Sequence, residues 1–282
     1  MAATTPPPLR FPDPVRDDLN AHRAGLAEET EQMMASHVRP CVAITAHRVS
    51  KPIRRNLFAR LFGAHEATKP LLGATESKFG GTPYCETEEE WNEHAFLGQI
   101  DLACATAALP ASSVRLTGLL RIDLRLSSSG ENEDFRVRWF REPSADRAVA
   151  TTASSVGDWE TQLGFRLAWT LPEGEALEAL WPLREPHWCE YEEFFPKGYN
   201  ADGRNEFHRM LGHKPSALDE HYGWCPPTGC SDDIASYECL LRLIFDNAAG
   251  FSWGSNAIYL LVPREDLARA DLSRIVVTAA NV

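Results

Sequence analysis

Residues 77–102, SKFGGTPYCETEEEWNEHAFLGQIDL, constrain what this chain can fold into more than any other stretch. Gly80, Gly81 and Pro83 punctuate its start. Glycine reaches positive φ without a Cβ clash, and proline fixes φ and removes a donor, so the start reads as a shaped turn. An acidic run with one aromatic follows: Glu86, Glu88, Glu89, Glu90 and Trp91. A mostly apolar run over 95–102 then carries one amide and one carboxylate, Gln99 and Asp101. That half reads as a strand with a polar tip. Residues two apart on a strand share a side, so Gln99 and Asp101 form the best polar pair for lining a pocket. The competing reading is structural, because buried amides and carboxylates at strand ends satisfy nearby loop N–H groups.

A weaker pair of similar blocks lies near the C-terminus. Leu211-Gly212 with Pro215 echoes the turn, Leu240-Leu241-Arg242-Leu243-Ile244 echoes the strand, and Phe251-Ser252-Trp253-Gly254 follows. The chain resembles the YwqG-like family, a domain of unknown function with a Gly-Gly-x-Pro turn and a Phe-Leu-x-Gln-Ile-Asp strand. Here those are Gly80-Gly81-Thr82-Pro83 and Phe96-Leu97-Gly98-Gln99-Ile100-Asp101, and the resemblance spans 70–277. In the second block the glutamine position is expected at Leu243 and the aspartate position at Phe245, while Ser255 stands after Trp253-Gly254. Those departures favour a scaffold over a shared chemistry. YwqG-like domains are similar to proteins encoded beside toxins of interbacterial competition, including secretion-system nuclease effectors, so the resemblance implies an immunity protein.

The two blocks suggest an internal pseudo-repeat, approximately 70–180 and 205–280, within a single α+β domain over 15–282. The expected architecture is a curved antiparallel sheet built from two related halves, with peripheral helices. Residues 1–14 are proline-rich and read as an extended tail. Apolar residues near one face of 15–37 predict a helix docked on the core, stopped by Pro40. A basic amphipathic segment over 51–62 predicts a helical connection that packs Leu57, Leu61 and Phe62 inward. Strands are predicted over 41–49, 118–126, 135–140, 164–171, 237–245, 256–262 and 272–278, with a short helix over 264–270. In 118–126 strict alternation puts Leu120, Ile122, Leu124 and Leu126 on one side and Arg121, Asp123 and Arg125 on the other. This predicts a half-exposed strand.

No run of 18 or more apolar residues occurs, and the first residues lack both a basic region and an apolar core, so the expected compartment is the cytoplasm. The seven cysteines are scattered, as befits reduced thiols. Cys225 and Cys230, with His213 and His221 upstream and Cys239 downstream, depart from paired zinc knuckles, so neither metal nor cofactor is expected. No nucleophile elbow, phosphate loop or dinucleotide fingerprint is present, and no catalytic residue is assigned.

A net charge of −12 repels phosphate backbones, which argues against direct nucleic-acid binding. It suits a basic protein surface instead, and a nuclease active site is one. The aperiodic, aromatic-rich stretch 186–233 reads as binding loops. The partner-contacting candidates are therefore Glu86, Glu88, Glu89, Glu90, Trp91, Trp188, Tyr191, Glu192, Glu193, Tyr222, Trp224, Asp232 and Asp233. Gly80, Gly81, Pro83, Gln99, Asp101, Gly212, Pro215, Trp253 and Gly254 are expected to be structural. The leading expectation is an immunity protein that occludes a basic nuclease toxin as a monomer in a 1:1 complex. The alternative is an enzyme or ligand-binding protein with a pocket between the halves, using Gln99, Asp101 and His213 or His221.

Overall fold

The computed structural model describes residues 36–49, 71–88, 91, 94–125, 135–149, 151, 154–156, 160–170, 172, 208–215, 218, 233–244 and 256–281. Eleven strands make one sheet: β1 (Arg39–Arg48), β2 (Lys78–Phe79), β3 (His94–Asp101), β4 (Leu119–Arg125), β5 (Phe135–Phe140), β6 (Ser154–Ser155), β7 (Thr161–Thr170), β8 (His208–Met210), β9 (Tyr237–Leu243), β10 (Asn256–Pro263) and β11 (Val276–Asn281). Their order is β11-β10-β9-β8-β1-β7-β2-β3-β4-β5, with β6 paired parallel to β3. Every other pairing is antiparallel. Among the described residues two short α-helices accompany the sheet, α1 (Leu102–Thr106) and α2 (Arg264–Ala268). No helix among the described residues is long and apolar enough to cross a membrane.

The order is a palindrome about the β1·β7 ladder. Each sequential half supplies five strands, β1–β5 and β7–β11, and exchanges its first one. β1 pairs with β8 of the second half, and β7 with β2 of the first. The halves match in detail. Gly80 and Gly81 have φ of 67° and 75°, and Leu211 and Gly212 have 65° and 92°. A bulge isolates Leu97 between Phe96 and Gly98 in β3, and another isolates Leu240 between Cys239 and Leu241 in β9. A bulged residue leaves its ladder groups unpaired, and the preceding turn uses them. Gly80 N donates to Leu97 O at 2.9 Å, and Leu211 N donates to Leu240 O at 3.0 Å. Register then makes Lys78 the counterpart of Arg209, Gln99 of Arg242 and Arg121 of Tyr259. The second block is therefore one residue out from the sequence expectation: Arg242, not Leu243, sits where Gln99 does. Ile244, not Phe245, answers Asp101.

One face of the sheet is aliphatic and continuous. Val42 and Ile44 of β1, Leu97 of β3, Ile122 of β4, Leu241 of β9 and Leu260 of β10 belong to a single buried cluster. Val137 and Trp139 of edge strand β5 and Val277 of edge strand β11 join it. A sheet whose two edges touch one core must curl. Arg141, just past β5, lies 3.3 Å from Asp271, before β11. The architecture is thus a curved, nearly closed antiparallel sheet, with few helices among the described residues, so α+β fits it loosely. The docked helix over 15–37 and the helical connection over 51–62 lie outside the described residues, apart from residues 36–37.

The other face of β4 is not exposed. Arg121 and Asp123 are 0% accessible: Tyr84, Cys85 and Trp91 lie against Arg121, and Arg136 reaches Asp123. Alternation correctly gave two faces, but a covering loop of polar and aromatic residues leaves no trace in the strand's own period.

Gly98 sits in tight packing without the positive φ that Gly118 and Gly212 have. A Cβ there would sit 2.4 Å from Phe79 Cδ1 and 2.9 Å from the Lys78 carbonyl, whereas at Gly73 the nearest atom would be 3.4 Å away. Overpacking of a tight core costs about 1–3 kcal/mol. Gly98→Ala should lower stability by about that much in denaturant unfolding, with Gly73→Ala within about 0.5 kcal/mol of wild type.

Candidate functional site

The turn-and-strand motif carries the densest polar bonding. Gln99 is fully buried, and its amide holds three backbone groups. Its Oε1 accepts from Tyr84 N at 2.9 Å, and its Nε2 donates to Ala74 O at 2.6 Å and Glu76 O at 2.9 Å. Asp101 is the N-cap of α1: its Oδ1 accepts from Ala103 N at 3.0 Å and Cys104 N at 3.1 Å. The two side chains act on different loops and do not meet across a cavity. Beside them lies Lys78, also fully buried. Its Nζ donates to Gly73 O at 3.0 Å and lies 3.4 Å from Glu160 Oε1, and burial lowers its pKa against the pull of Glu160. Glu160 Oε2 accepts from Leu71 N and Leu72 N at 2.9 and 3.3 Å. The motif's polar atoms therefore fix the loop 71–84 against β2 and β3.

Trp91 is 9% exposed and belongs to a buried cluster with Cys85 and Phe96. The guanidiniums of Arg121 and Arg136 lie 5.0 and 5.1 Å from its ring centroid. Arg121 also donates to Tyr84 O at 2.7 Å and to Asp123 Oδ2 at 3.1 Å, and Arg136 donates to the same oxygen at 2.9 Å. Burial raises the Asp123 pKa in spite of both cations. Trp91 thus packs within its own chain, whereas the sequence reading placed it on the surface. Its position after four acids suggested a surface anchor, but cation–π contact with two arginines on adjacent strands draws the ring inward. Glu86 is also engaged: Tyr84 Oη donates to it at 2.8 Å, and Arg147 lies 3.6 Å away. Glu88 is exposed. Asp233 is exposed and caps a 3₁₀ turn by accepting from Ala235 N at 2.8 Å. Glu89, Glu90, Trp188, Tyr191, Glu192, Glu193, Tyr222, Trp224, Asp232, Trp253, Gly254 and His221 lie outside the described residues.

His213 is a pin and not a reacting group. It is buried, its Nε2 donates to His37 O at 2.6 Å, and its N donates to Thr170 Oγ1 at 2.7 Å. It ties the β8 turn to β7 and to the residue two before β1, and burial lowers its pKa to about 4. Gly212 sits under the same contacts: a Cβ there would meet Thr170 Oγ1 at 2.4 Å. Among the described residues, no group of three or more His, Cys, Asp or Glu is placed to hold a metal ion.

A cleft of about 310 Å³ opens where the two halves meet at the start of β1. Leu109 and Val114 come from the first half, and Leu211, Glu238 and α2 from the second. Neither Gln99 nor Asp101 lines it, so the pocket between the halves lies away from the pair that the sequence nominated.

Residues 77–280 match the family described as Domain of unknown function (DUF1963), from the residue before β2 to within β11. The chain belongs to this family. No curated protein matches it. The match spans the turn, the bulged strands and the second half, which are the parts that the pseudo-repeat relates. It excludes β1, so in this DUF1963 chain the strand that completes the second half's sheet lies upstream of the matched region.

Gln99 and Asp101 separate by energy. Replacing Gln99 with Leu removes three hydrogen bonds to backbone, one of them from the buried Tyr84 N, and should cost about 2 kcal/mol or more in urea unfolding. Losing the cap in Asp101→Ala should cost only about 1 kcal/mol. His213 sets a pH dependence. Its folded pKa, about 4, lies below the ordinary 6.5, so the unfolded chain binds the extra proton first. Stability contributed by neutral His213 is present above about 6.5 and falls as pH drops from there to about 4. His213→Gln should flatten that part of the stability curve relative to wild type in parallel unfolding titrations.

Proposed function

We propose that this chain is a non-catalytic cytoplasmic binding protein, an immunity protein that neutralises a secreted antibacterial nuclease by covering its cationic cleft. The observation that carries this reading is the bonding of the motif. Gln99 and Asp101, the polar residues that an enzyme reading would use, are committed to this chain's own backbone. A motif spent on holding the fold leaves function to the loops. Those loops belong to a chain of net charge −12, and Glu88 and Asp233 are among its outward-facing acids.

An acidic surface mimics the phosphates that a nuclease cleft binds, so long-range attraction speeds encounter and steric cover blocks the substrate. No bond is made or broken by this chain. With Trp91 withdrawn into the core, the acidic run around Glu88 acts by steering, and the tight contacts fall to other residues.

Co-expression with a nuclease toxin encoded beside the gene should restore growth, and the purified 1:1 complex should weaken as salt rises. Reversing Glu88, Glu89 and Glu90 to lysine should slow association at low salt by more than about threefold and leave dissociation nearly unchanged. Association unchanged by the triple reversal rejects the steering role. Growth arrest despite co-expression rejects the immunity reading itself.

A further inference from the structure

The cleft between the halves has a chemistry of its own. Its wall is apolar, with Leu109, Val114, Leu211 and Leu267 on opposite sides, and its mouth carries Arg39, Arg264 and Glu238. Arg264 Nε donates to Glu238 at 2.9 Å, and Arg39 lies 3.5 Å from the same carboxylate. Two guanidiniums against one carboxylate leave one positive charge in surplus, on a protein whose net charge is −12. Both arginine side chains face solvent, 52% and 66% exposed, while Glu238 is 17% exposed beneath them. The mouth is thus a fork of cations held in place by an internal carboxylate, above an apolar floor.

A second observation comes from comparing the two halves. Leu211, which lines the cleft, has φ of 65°, and its counterpart Gly80 has φ of 67°. The left-handed region suits glycine and strains leucine. One half meets the turn's geometric demand with glycine, while the other accepts strain and places an aliphatic side chain against the cleft. Strain retained at a cavity is a pointer to binding.

We propose that this cleft binds a small monocarboxylic acid, its apolar body between the halves and its carboxylate on the Arg39 and Arg264 fork. The volume, about 310 Å³, equals the liquid share of about ten waters, so the occupant is small, on the order of ten heavy atoms. Bidentate guanidinium–carboxylate pairing selects the anion, and the apolar wall selects a hydrocarbon or aromatic body over a sugar or nucleotide. This inference goes beyond the proposed function, and Glu88 does not line the cleft.

The test is calorimetric titration of the full chain with octanoate, with octylammonium as the cation of equal chain length. Octanoate should bind once per chain, and octylammonium at least tenfold more weakly. The Arg39→Ala, Arg264→Ala double variant changes exposed side chains and should weaken octanoate at least tenfold. Ala268→Trp, at an exposed position on α2 beside the mouth, should remove binding while circular dichroism stays that of the wild type. Equal binding of anion and cation, absence of octanoate binding, or a double variant that binds like wild type would each overturn the proposal.

Discussion

The ladder between β1 and β7 is the contact on which the rest of the structure depends. Ten residues of β1 pair with ten of β7, from Arg39 opposite Thr170 to Arg48 opposite Thr161. Each strand also completes the sheet of the half to which it does not belong in sequence. Cutting the ladder therefore leaves β1 as a bare edge on the second half's sheet and β7 as a bare edge on the first's. Side chains reinforce the exchange. His213 binds Thr170 and the His37 carbonyl from the β8 turn, and the Phe79 ring meets His208 edge-on with centroids 5.3 Å apart. A chain folded this way has few local contacts at its centre, since β1 and β7 are separated by more than a hundred residues. Such non-local pairing is slow to form and unforgiving of errors in register.

The two halves share a backbone plan but divide the chemistry differently. On the outer face of the first, Lys78, Gln99 and Arg121 lie side by side across three strands. In the second the same row reads Arg209, Arg242 and Tyr259. Polar groups in such a row need partners, and the first half supplies them from residues 73–85, with Glu160 beside Lys78. Close approach also diverged: the first half opposes Phe79 with Gly98, and the second opposes Met210 with Leu241. A large side chain facing none has become two of middling size. The proposed binding functions follow from this division. One half is tightly stitched around its motif, while the cleft at the junction and the acidic loops keep surface for other molecules.

Much of the sheet was legible in the sequence. Period-two alternation located β4 and β5, and the Gln99–Asp101 block located β3, because half-buried strands must alternate. The likeness of the two turn-and-strand blocks was legible from the turn, since positive φ at two successive residues leaves a mark that glycine makes visible. Its register was not, because the bulges at Leu97 and Leu240 shift pairing by one residue and have no signature in composition. β2 and β8 are two and three residues long, too short for any period. Trp91 was misplaced because a run of acids pointed outward, while the arginines that draw it in lie on β4 and β5, 30 and 45 residues away. The structural role of Gln99 was weighed from the sequence, but its three backbone partners could be named only from the fold.

Native-state hydrogen exchange across the β1·β7 ladder tests this account most directly. If the exchanged strands lock the halves together, amides of 42–46 and 163–167 will exchange only through global unfolding. They will then show the same opening free energy and denaturant dependence as the centres of β3 and β9. Release of β1 or β7 at low denaturant, while β3 and β9 stay protected, would contradict the account and make the two halves independent units.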